Sequence, residues 1–151
     1  MKGHCVSMDF GIDAPIAFDR VLRELEGVRS YPSMITPGVT VHNGKLGIGG
    51  CEFHVRATET PDGVSEYSIA MPGEGGNTFL GIPLLTSTAR FTSALDEQGI
   101  PWADDGKSDI VLYEHWMAFF DDVGEITHVL WYNRELMTDV ELLDAAFPPK
   151  Q

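Results

Sequence analysis

Residues 109–133, DIVLYEHWMAFFDDVGEITHVLWYN, decide the fold. Two runs rich in aromatic and β-branched residues, Ile110–Phe120 and Glu125–Asn133, flank Asp121-Asp122-Val123-Gly124. Aromatic and β-branched side chains suit a pleated surface, and Asp and Gly suit a turn, so the spacing predicts a hairpin. Val111, Leu112, Tyr113, Trp116, Met117, Phe119 and Phe120 supply one arm; Ile126, Val129, Leu130, Trp131 and Tyr132 supply the other. Apolar residues on both faces place this pair in the middle of a sheet. Its register stays open. A four-residue turn, Asp121–Gly124, sets Met117 opposite His128 and puts His115 on the same face. A three-residue turn with a bulged glycine brings Glu114 and Trp116 there instead.

Upstream, Ala14, Phe18, Val21, Leu22, Leu25 and Val28 recur at three and four, the pattern of an amphipathic helix capped by Asp13 and stopped at Gly27. Ser30–Gly38 reads as a loop. Asn43-Gly44 between Val39–His42 and Lys45–Ile48 predicts a two-residue hairpin. Gly49-Gly50 then kinks the strand, and Cys51–Thr58 alternates strictly, with Glu52, His54 and Arg56 on its polar face. Pro61-Asp62-Gly63 turns the chain into Val64–Met71. Phe79–Ile82 suits a short strand. A second helix runs from Ser87 to Gln98, closed by Gly99. Thr138-Asp139-Val140-Glu141 is a capping box for a short last helix. The expectation is one α+β domain spanning residues 1–151. Its antiparallel sheet, a meander plus the aromatic hairpin, is packed by two main helices and the short C-terminal one.

Charge bounds the partners. Acids number 23 against 10 bases, for a net of −13. Nine acids and one base, Lys107, fall between Asp96 and Glu125. Phosphate backbones and anionic membranes are repelled by such a chain, and a basic protein partner is favoured. Trp102 and Tyr113 flank this stretch as candidate aromatic anchors, beside Asp104, Asp105, Asp109, Asp121 and Asp122 as candidate partner-binding carboxylates. Cys5 and Cys51 have no Cys-x-x-Cys partner and read as reduced in a cytoplasmic setting, with a single disulfide between them as the alternative. No apolar run approaches the about 20 residues of a membrane span.

Chemistry is sparse. Gly73-Glu74-Gly75-Gly76 lacks the Gly-Lys-Ser/Thr of a phosphate loop, so no nucleotide cofactor is expected. The five histidines have no metal-ligand spacing, and Asp104–Asp109 lacks the full calcium-loop pattern, so no metal is expected. Glu52, His54 and Arg56 on one strand face, with His115 and His128, form the alternative: a pocket over the sheet in a small enzyme or ligand-binding domain. No nucleophile motif accompanies them, and the first reading is non-enzymatic.

Phe79-Leu80-Gly81-Ile82-Pro83-Leu84-Leu85-Thr86-Ser87, then a helix, then a hairpin with Phe119-Phe120-Asp121-Asp122-Val123-Gly124-Glu125-Ile126, resembles small bacterial immunity proteins of polymorphic toxin systems. The resemblance implies an acidic cytosolic α+β domain without catalysis that binds a cognate toxin domain and blocks its active site. It carries over no catalytic residue.

Overall fold

The computed structural model describes residues 7–73, 76–104 and 109–137. Antiparallel pairing organises them. The strictly alternating segment is β4, Cys51–Thr60, which buries Cys51, Phe53, Val55 and Ala57 and exposes Glu52, His54 and Arg56. Its neighbours are β3, Thr40–Ile48, and β5, Gly63–Ala70. Gly49 and Gly50, both at positive φ, make the two-residue turn between β3 and β4, so Ile48 faces Cys51. The expected Asn43-Gly44 turn does not form; β3 runs straight through it. Turning at Gly49-Gly50 lets β3 and β4 pair from Thr40–Glu59 to Ile48–Cys51, a longer ladder than the arms Val39–His42 and Lys45–Ile48 of the Asn-Gly turn could form. Gly44 serves close approach instead: a Cβ there would lie 3.1 Å from the Glu26 carbonyl oxygen and 3.2 Å from Leu25 Cβ.

The first helix is the largest correction. Only α1, Val21–Glu24, is helical, and the chain then enters an exposed edge strand, β2, Glu26–Pro32, paired with β3. The apolar residues before it still pack. Val21 and Leu25 are buried, and Phe18 meets the Tyr67 ring edge-on. The Tyr67 hydroxyl accepts from Ile16 N–H at 3.0 Å and donates to Ile16 C=O at 2.7 Å, taking the backbone groups that a helix would use.

The aromatic stretch is also divided. Ile110–Phe120 is not one strand but β9, Asp109–Leu112, and β10, Met117–Asp122, joined by a turn at Tyr113–Trp116. β11, Glu125–Tyr132, completes the hairpin. Neither expected register holds. Asp122 faces Glu125 around a two-residue turn, Phe120 faces His128, and Thr127 is the bulged residue between them. With β8, Ala103–Asp104, the sheet has the order β2-β3-β4-β5-β11-β10-β9-β8. β10 and β11 are interior and two-sided, as the composition requires. Met117, Phe119, Val129 and Trp131 enter the main core, while Ala118, Leu130, Val111 and Ala103 form a second apolar cluster on the opposite face.

The main core lies under one face. Three short strands cover it: β1, Asp9–Phe10, parallel to β6, Thr78–Phe79, which pairs with β7, Ile82–Pro83. Beside them sits α2, Thr88–Glu97, with the Ser87 hydroxyl capping Arg90 N–H and Phe91 and Leu95 buried. Phe91, Phe79 and Phe119 stack in one group, and Phe10, Phe53, Trp131 and Tyr67 in another. Full burial of each such ring contributes about 2–3 kcal/mol. The architecture is a sheet-dominated α+β fold with two helices among the described residues. The expected C-terminal helix lies outside those residues. Cys51 is buried and disulfide-bonded, which corrects the expectation that it is reduced. The sequence has one other cysteine, Cys5, outside the described residues.

Candidate functional site

Register gathers the acidic residues at one end of the sheet. Asp104 on β8 faces Ile110, and Ile110 and Asp109 on β9 face Phe119 and Phe120 on β10. Asp121 and Asp122 follow directly. Asp104 and Asp122 are exposed and Asp109 and Asp121 half-buried; Asp105 lies outside the described residues. Asp121 has a structural task as well. Its carboxylate accepts from the Thr88 hydroxyl and, at 2.7 Å, from Gly124 N–H. Thr88 N–H donates to Gly124 C=O at 3.2 Å, so the turn is locked to the start of α2.

The tip of that turn was not foreseen. Val123 is 95% exposed, with φ +55, between exposed Asp122 and Glu125. A β-branched residue in the left-handed region is strained, and an exposed apolar side chain gains nothing from folding. The expected anchors stand elsewhere. Trp102 packs on the main core and donates its indole N–H to Asp96 at 2.9 Å. Tyr113 follows the opposite end of β9 and packs against the second apolar cluster.

The second site is a groove of about 950 Å³ on the face of the sheet away from the main core. Its shape follows from one cross-strand row. Lys45 faces His54, His54 faces Ala70, Ala70 faces His128, and His128 faces Phe120. In the adjacent row, Asn43 faces Arg56 and Arg56 faces Ser68. The small residues Ala70 and Ser68 make a low floor, and the longer chains on either side make walls. Glu26, Gly27 and Arg29 from the edge strand and Glu52 from β4 add the rim. The structure thus brings Glu52, His54, Arg56 and His128 together. His115 is not among them. It lies in the Tyr113–Trp116 turn and lines a separate cleft with Ile12 and Asp13.

Electrostatics set the tone of the groove. Lys45 and Glu52 sit 3.6 Å apart, each 53% exposed, a pairing worth about 0–1 kcal/mol. Burial holds His128 below the usual imidazole range, with Asp122 pulling the other way, and its Nδ1 lies 2.8 Å from the Thr127 hydroxyl. Beside the groove, burial pushes the Glu66 carboxyl up, and the Arg56 charge offsets part of that shift.

A hydrogen-bonded chain absent from the sequence reading crosses three strands outside the groove. His42 Nε2 lies 3.0 Å from Glu59 Oε1, and Nδ1 lies 2.6 Å from Ser30 Oγ. An ionised carboxylate only accepts, so Nε2 carries the proton of the bond to Glu59. The arrangement ties the edge strand to β3 and β4. Cross-strand partners of this kind leave no trace in sequence spacing; the same holds for Lys45, Asn43, Ser68 and Phe120 in the groove. Among the described residues, no group of three or more His, Cys, Asp or Glu could hold a metal, and no helix is long and apolar enough to cross a membrane. No family model, no curated protein and no solved structure matches this chain.

Proposed function

We propose that this protein is a binding module of the immunity type, which docks a basic toxin domain through the acidic end of its sheet and blocks it without catalysis. One observation carries the reading: Val123, 95% exposed and in a strained backbone conformation, stands between the carboxylates of Asp122 and Glu125 on a turn locked to α2. Neither its strain nor its exposure helps the free protein fold. Both suit an apolar knob that enters a partner while the surrounding acids steer a basic surface toward it. The net charge of −13 supports the same sign of partner. Rigidity of the tip lowers the ordering cost of docking.

The site is narrower than the acidic stretch suggests. Asp122, Val123 and Glu125 form its centre, with Asp104 and Asp109 at the neighbouring strand ends. Asp121 acts by holding the turn. Cytoplasmic residence belongs to this proposal too, and the disulfide at Cys51 weakens it, since an oxidising compartment preserves such bonds.

The test is capture of a partner from the native host, then its association kinetics. The captured protein is expected to be basic. Asp122→Asn with Glu125→Gln should slow association several-fold at low salt and little at high salt, and Val123→Gly should speed dissociation. A captured partner that binds the triple variant at unchanged rates overturns the proposal.

A further inference from the structure

The geometry points to the groove over β3, β4, β5 and β11 as a binding site for a small organic oxyanion, a phosphate or carboxylate attached to an apolar ring or chain. Charge comes first. Three of the ten Lys and Arg residues in an otherwise acidic chain, Arg29, Lys45 and Arg56, line this one groove. They outnumber the two carboxylates of its lining, Glu26 and Glu52. Neither carboxylate removes the cations from use. The Lys45–Glu52 pair is exposed and loose, and Arg56 lies on the polar face of β4 directly across from Ser68, with the Glu66 carboxyl, pushed up by burial, acting on it from beside the groove.

Shape gives the second half of the ligand. His54 and His128 flank Ala70 on opposite sides, so a space the width of one strand opens between the two rings. Phe120 faces His128 in the same row, with ring centroids 6.2 Å apart, and Asp109 on β9 follows beyond it. A flat apolar body fits against Phe120 and the His128 ring, with its anionic group directed across Ala70 and Ser68 toward Arg56 and Lys45. A volume of about 950 Å³ is at the upper end of small-molecule sites.

Size selection follows from the rest of the chain. A groove with one more base than acid, set in a protein of net charge −13, attracts a single anionic group. An extended polyanion meets the surrounding carboxylates and is repelled. The site therefore selects small anions over nucleic acid. Its lining residues differ from those of the docking tip, although the Asp122 carboxylate acts on the His128 ring from outside the groove.

Nuclear magnetic resonance of the full chain tests this with four probes: phenyl phosphate, phenylacetate, inorganic phosphate and phenol. Phenyl phosphate, phenylacetate or both should move the His54 and His128 ring signals saturably at millimolar or lower concentration. Phenol, lacking charge, and inorganic phosphate, lacking the ring, should bind more weakly than the better of the two. Which of the two binds tighter distinguishes a phosphate from a carboxylate ligand. Arg56→Gln, a change at an exposed position, should weaken that binding about tenfold or more while leaving signals from the core in place. Lys45→Gln should weaken it less. Absence of saturable shifts with both aromatic anions overturns the inference, as does equal binding by phenol or unchanged affinity in Arg56→Gln.

Discussion

The Tyr67 hydroxyl holds both backbone polar groups of Ile16, accepting from the N–H at 3.0 Å and donating to the C=O at 2.7 Å. A fully buried side chain on the central sheet thereby fixes the irregular segment that precedes α1. Burial pushes the phenol well above its usual range, so it stays a donor at all ordinary pH. Tyr67→Phe keeps the ring and removes both bonds. The expected cost is about 1–3 kcal/mol, read as a lower urea midpoint with an unchanged m value. No loss of stability would mean that Ile16 is held by something other than this hydroxyl.

Val123→Gly removes a side chain that is exposed and strained. The left-handed region costs a residue with a Cβ about 1–2 kcal/mol, and glycine's extra chain entropy returns roughly 0.5–1 kcal/mol of that. The variant is expected to be as stable as the wild type or more stable by up to about 1.5 kcal/mol, measured by thermal melting. Together with weaker partner binding, this outcome marks Val123 as a residue kept for docking. A less stable variant would show that its side chain supports the fold.

Two glycines of β3 should respond in opposite ways. At Gly44, a new Cβ meets Glu26 O at 3.1 Å and Val28 Cγ2 at 3.2 Å, and the edge strand must move. Gly44→Ala is expected to cost about 1–3 kcal/mol. At Gly47, nothing lies within 4 Å, so Gly47→Ala should be neutral or stabilising by about 0.4–1 kcal/mol. Denaturant melts of the two variants side by side decide it; equal effects would contradict the packing of β2 on β3.

His128 gives stability a pH dependence of definite sign. Its folded value lies below the ordinary 6.5, so the unfolded chain takes up a proton that the folded chain resists. Stability from this group is complete above about pH 6.5 and is lost as pH falls through the folded value. Asp122 opposes the shift, and Arg56, Lys45 and His54 share the groove. Raised Glu66 acts in the reverse sense, stabilising at acid pH and losing that contribution as pH rises through its folded value. Subtracting the His128→Gln profile from the wild-type profile isolates the histidine. The difference should be flat at neutral pH and turn against the wild type on acidification. Parallel profiles would rule out the depressed imidazole.

Asp9 contributes at lower pH. It accepts from the Thr78 hydroxyl at 2.6 Å and from Gly81 N–H at 2.8 Å, and these bonds hold its carboxyl below the ordinary 3.8. Its stabilisation is present above that value and lost as pH falls through the folded one. Asp9→Asn should therefore lower the melting temperature at neutral pH and flatten the wild-type loss between neutral and strongly acid pH. A constant offset at every pH would show that the charge is immaterial.

Elements whose stabilising contacts repeat locally were legible in the sequence. Ser87, Phe91, Leu95 and Gly99 determined α2, because cap, buried face and stop all lie within one helix. Cys51–Ala57 determined β4 and its polar face, because period-two alternation needs no knowledge of the partner strand. The aromatic richness of residues 110–132 determined a two-sided sheet centre. Ala14–Val28 was misleading: its helical spacing is real, but Tyr67 and the β3 edge offer its backbone better partners than a helix does. Gly49-Gly50 prevailed over Asn43-Gly44 because the later turn allows many more strand pairs. The groove was half legible, since Glu52, His54 and Arg56 share one strand. Lys45, Ser68, Phe120 and His128 joined them only through register across four further strands. A strand's own pattern says which side chains share a face, whereas the hydrogen-bonded pairing of distant segments says which faces meet, and that pairing is decided by the whole sheet at once.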